Sequence, residues 1–134
     1  MKLRNSTIGV AILAVFSSIL ACGGTLSTAN IGDTWLATDE AGDNRTTVFT
    51  PTDTFNLFVT LNNAPDDTVL KANWVAVSAE GFDSNQGIYE TEYTSSDDVI
   101  RFYLTNDNIW GVGDYKVDIY LNGNLNKTLT FSVQ

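Results

Sequence analysis

Histidine is absent from the 134 residues, cysteine occurs once, and 7 lysines and arginines stand against 16 aspartates and glutamates. Each scarcity removes a class of chemistry. Without histidine there is no serine–histidine or cysteine–histidine nucleophile and no histidine-ligated zinc or iron. With a single cysteine there is no intrachain disulfide, so a core must hold by burial alone, which a chain of this length can do. A formal charge of −9 makes nucleic acid and acidic lipid surfaces poor partners. No glycine-rich phosphate loop occurs, and an acidic chain offers so many carboxylates that no pair stands out as general acid and base. The expectation is a protein that is not an enzyme and carries no cofactor.

Also lacking is an apolar run long enough to span a bilayer. Residues 8–21 are apolar but interrupted by Ser17 and Ser18, and about 20 residues are needed. A basic start, Met1-Lys2-Leu3-Arg4, this run, and Ile19-Leu20-Ala21-Cys22 at its end read as a secretory signal over residues 1–21. The closing tetrapeptide resembles a bacterial lipobox, which implies cleavage before Cys22 and acylation of its thiol with palmitate-type chains. Leu20 departs from the small residue usual at its position, and the alternative is a free thiol at an ordinary cleavage site. Residues 22–30, beginning Cys22-Gly23-Gly24-Thr25, then form a short flexible tether. Gly23 after the lipidated cysteine resembles lipoproteins released to an outer membrane. The implied address is the cell envelope, extracytoplasmic, with the membrane as first partner through the lipid on Cys22.

The remaining residues, 31–134, alternate. Tyr115, Val117, Ile119 and Leu121 share one phase, Leu129, Phe131 and Val133 another, and Asn122-Gly123 lies between the two runs. An Asn-Gly pair between alternating runs is a strong hairpin signal. Upstream, residues 54–61 put Phe55, Leu57, Val59 and Leu61 inward and Asn56 and Phe58 outward, and residues 69–77 put Leu70, Ala72, Trp74 and Ala76 on one face. Residues 99–104 turn Ile100, Phe102 and Leu104 inward and Arg101 and Tyr103 outward. Residues 31–37 read as a first strand, 46–49 as its continuation along the same edge after an irregular insertion, and 88–94 as an edge strand guarded by Glu90 and Glu92.

Gly113-x-Tyr115 before the alternating run, with Trp74 centred on an earlier strand, resembles immunoglobulin-like and fibronectin III-like domains. The resemblance implies an all-β fold, a seven-stranded antiparallel immunoglobulin-like β-sandwich. Tyr115 would be the corner tyrosine, its hydroxyl bonded to backbone upstream, and Trp74 the buried central tryptophan. Val117 stands where antibody domains carry a cysteine, which makes this a disulfide-free variant. The fold names no function.

Two readings of function are open, beside the question of a metal. Asp39, Glu40 and Asp43, with the doublets Asp66-Asp67 and Asp97-Asp98, invite calcium, but none has EF-hand spacing and solvated turns explain them equally, so no metal site is assigned. The leading expectation is a surface-displayed, non-catalytic binding or structural module that contacts a protein or polysaccharide. The alternative is an envelope inhibitor or chaperone-like accessory lipoprotein. The candidate binding face is Phe58, Arg101 and Tyr103, two aromatic rings beside an arginine on neighbouring strands; the competing expectation is that Phe58 and Tyr103 merely pair across strands, or that residues 37–47 fold over them.

Overall fold

The computed structural model describes residues 28–96 and 98–134; the signal segment, Cys22 and most of the tether lie outside the described residues. Among the described residues there are eight strands: β1 Asn30–Ala37, β2 Val48–Phe49, β3 Phe55–Asn62, β4 Val69–Ala79, β5 Gln86–Thr94, β6 Val99–Leu104, β7 Gly113–Leu121 and β8 Asn124–Val133. They form two sheets of unequal width, β1-β3-β6 and β2-β8-β7-β4-β5. The strand periodicity of two survives almost everywhere, so each strand turns one set of side chains to the space between the sheets.

Two expectations are corrected here. The seven long strands have an eighth, short companion, and not every pair is antiparallel. Residues 46–49 do not continue the edge of β1: after a last bridge between Ala37 and Arg45 the chain crosses to the other sheet, where Val48 and Phe49 pair in parallel with Ser132 and Val133. Ser132 N–H donates to Thr47 O at 2.9 Å and Gln134 N–H to Phe49 O at 2.9 Å. The physical reason is Phe49, whose ring is fully buried and meets Phe55 and Phe131 edge-on at 4.9 and 5.5 Å. Reaching that core position pulls the segment off its first sheet.

The core is the interleaving of both inner faces. Phe55, Leu57, Val59 and Leu61 of β3 and Ile100, Phe102 and Leu104 of β6 pack against Leu70, Ala72, Trp74 and Ala76 of β4 and Val117 and Ile119 of β7. Trp74 is 1% exposed. One end is closed by Trp110, stacked on Phe55 at 4.5 Å, with its Nε1–H donating to Asp53 O at 3.0 Å.

Beside it, Tyr115 is buried and its hydroxyl donates to Gly111 O at 2.5 Å, the bond expected of a corner tyrosine. Burial, and then the charge of Glu80, raise the pKa of that phenol above its ordinary value. Gly113 explains the Gly-x-Tyr pattern physically: its φ is +150°, and a Cβ there would lie 2.2 Å from Ser78 O. At the other end of β7 the hairpin turns through Asn122 and Gly123 with φ of 49° and 84°, both positive as a type I′ turn requires.

Candidate binding surface

The outer face of the narrow sheet is set by register. Trp35 of β1 lies opposite Phe58 of β3, which lies opposite Arg101 of β6, and the next row is Ala37, Asn56 and Tyr103. Alternation makes all of these outward positions, and outward would ordinarily mean wet.

For Phe58, Asn56 and Ala37 it does not: they are 5%, 1% and 0% exposed. Trp35 lies flat on Phe58, centroids 5.2 Å apart and planes 11° from parallel. The segment 38–45 closes over both rings. Its Gly42 has φ +79°, and a Cβ there would come within 3.0 Å of the Phe58 ring; Trp35 Nε1–H donates to Gly42 O at 3.0 Å. The Asp39 carboxylate accepts from the backbone N–H of Asp43 and Asn44 at 3.1 and 2.8 Å, and the Asn44 bond foremost holds its pKa below the ordinary carboxylate value. Arg45 lies over the Trp35 ring at 4.0 Å and pairs with Asp33 at 3.2 Å. Phe58 is therefore sealed under the loop and is no part of a contact surface, a correction to the expected face.

Arg101 and Tyr103 do come together. Asn56, buried, donates from Nδ2 to Ala37 O at 3.3 Å and accepts at Oδ1 from Arg101 Nε and Nη2 at 2.9 and 2.7 Å. The guanidinium so fixed lies 4.5 Å over the ring of Tyr103 and 4.0 Å from Glu40. Tyr103 is 51% exposed. A cleft of about 350 Å³ opens on this side, walled by Glu40, Asn56, Arg101 and Tyr103.

On the far side of Tyr103 lies a second cleft, of about 340 Å³, whose other wall is β5. Pairing with β4 sets Tyr89 opposite Trp74, Thr91 opposite Ala72 and Tyr93 opposite Leu70, so the three belong to the core-facing side of β5. The wide sheet outreaches the narrow one, however, and β5 and β6 are the free edges of their sheets. Tyr89 and Tyr93 accordingly remain 54% and 41% exposed, with Tyr93 resting on Phe102 at 5.0 Å. Sequence reasoning saw the edge strand and its glutamates and missed this stripe, which was visible as Tyr89-x-Thr91-x-Tyr93 at strand spacing.

Among the described residues no three acidic or cysteine side chains converge as a metal site, and no helix is long and apolar enough to cross a membrane. No protein-family model matches the chain, and comparison with curated proteins finds no match. Among solved structures it is similar to an immunoglobulin-like protein of Pseudomonas aeruginosa, with a TM-score of 0.58 and 14% identity over 83% of this chain and 100% of that one. The fold is immunoglobulin-like. At that identity the likeness concerns the fold alone.

Proposed function

We propose that the chain is a non-catalytic binding module of the cell envelope, held on the extracytoplasmic side of a membrane by the lipid on Cys22, that contacts a partner through the surface centred on Tyr103. The observation that carries this reading is the set of half-exposed tyrosines, Tyr89, Tyr93 and Tyr103, gathered at one seam of the sandwich with Arg101 fixed beside them. Exposed aromatic rings gathered in one patch, unlike single ones scattered over a surface, mark a contact site, and tyrosine with arginine is the composition that binding hot spots favour.

The anchor supplies the other half of the reading. A sequence without histidine, with a signal-like start and one cysteine at its end, suits display rather than chemistry. Detergent-phase partitioning tests the anchor: the parent protein enters the detergent phase and Cys22→Ser leaves it for the aqueous phase. Equal partitioning of both proteins would remove the lipid from the reading.

A further inference from the structure

We infer that the cleft between β5 and β6 binds a neutral oligosaccharide. The inference rests on the binding-module reading above and gives its ligand a chemical class.

Three observations point to a sugar. The first is the lining. Tyr89, Thr91 and Tyr93 on one wall face Tyr103 and Thr105 on the other, with no charged side chain among them. A sugar ring has an apolar C–H face and a rim of hydroxyls; tyrosine offers a flat apolar face and a polar tip, and hydroxyls of Tyr and Thr both donate and accept. The volume, about 340 Å³, is that of a small-ligand site.

The second is that two of the three rings are already held. Tyr93 is braced by Phe102 at 5.0 Å and Tyr103 by the Arg101 guanidinium at 4.5 Å, and Arg101 is itself gripped by Asn56, which is 1% exposed. A buried polar side chain spent on fixing a surface arginine leaves little motion to be lost on binding.

The third is continuity. The two clefts share Tyr103 and Thr105, and the one beside Arg101 adds Glu40 and Arg101, whose carboxylate and guanidinium can accept from and donate to sugar hydroxyls. A chain of several sugar rings can thus straddle Tyr103.

Charge and backbone narrow the class. The protein carries −9 overall, and Arg101 is already shared between Asn56 and Glu40, so an acidic polysaccharide meets repulsion without a free cation. A peptide added as a strand along β5 would have to run past Glu90 and Glu92, which guard that edge.

The test uses full-length protein in a detergent without a sugar head group, applied to immobilised neutral oligosaccharides (chito-, xylo-, manno- and malto-series) and to uronic-acid oligomers. Binding to at least one neutral series is expected, weakened about tenfold or more in Tyr89→Ala/Tyr103→Ala, the effect of losing hot-spot anchors, and unchanged in Tyr120→Ala on the outer face of the wide sheet, away from the cleft. Both replaced rings are more than half exposed, so the fold tolerates the change; Tyr89→Ser alone serves if the double variant melts early. No neutral binding, binding only to uronic acids, or full affinity in the tyrosine variants overturns the inference. Cross-linking from position 103 in intact cells separates the failures: a protein captured there sinks the sugar and leaves the binding module, whereas no adduct of any kind sinks both.

Discussion

Tyr115 shows how much one side chain can settle. Its ring fills the end of the sandwich against Phe131, stacked at 5.5 Å, and its hydroxyl satisfies Gly111 O in the crossover loop. Tyr115→Phe keeps the ring and orphans that carbonyl, so stability should fall by about 1–3 kcal/mol. Denaturant melts read the change, and an unaltered midpoint with an unaltered slope would show that the hydroxyl bond stabilises nothing. This residue was legible in the sequence because its signal is local: Gly113, Tyr115 and the alternation after them lie within a few positions. Phe58 was not legible. Its phase is outward, and what buries it is Trp35, 23 positions upstream, together with a loop whose path no periodicity describes.

At the scale of elements, segment 38–45 behaves as a small lid tied to β1 through Trp35 and Arg45 and closed on itself by one carboxylate. Asp39 has a lowered folded pKa, so the stability it confers is present above its ordinary 3.8 and is lost as pH falls through the lower folded value. Below pH 3.8 the amides of Asp43 and Asn44 should therefore lose hydrogen-exchange protection before those of β3 and β7. Simultaneous loss across all these amides would mean that the lid has no separate fastening. The start of β7 is a second such point. Gly113→Ala places a Cβ against Ser78 O in a backbone conformation that side chains rarely adopt, and should cost about 1–3 kcal/mol or more; a melt within error of the parent contradicts this. Strand existence and phase followed from alternation, whereas β2 escaped because two residues carry no period and only the demand of Phe49 for the core decides which sheet they join.

The whole molecule is governed by one inequality, three strands over five. That difference leaves β5 without a cover and turns residues in the core phase into the wall of a cleft. The two-sheet architecture was readable from about seven strand-like runs, the last two of them joined in a hairpin. The site was only half readable, Arg101 and Tyr103 from their phase but not Tyr89 and Tyr93, because relative sheet width is a property of the assembled fold and no window of sequence contains it. The most direct measurement places a photoreactive phenylalanine at position 103, and separately at position 120, in the full-length protein of living cells. Position 103 lies at the open seam and position 120 on the outer face of the wide sheet. The expected result is an adduct with an envelope glycan or protein from position 103 and none from position 120. Adducts from position 120 alone, or equally from both, would contradict a binding surface at the seam.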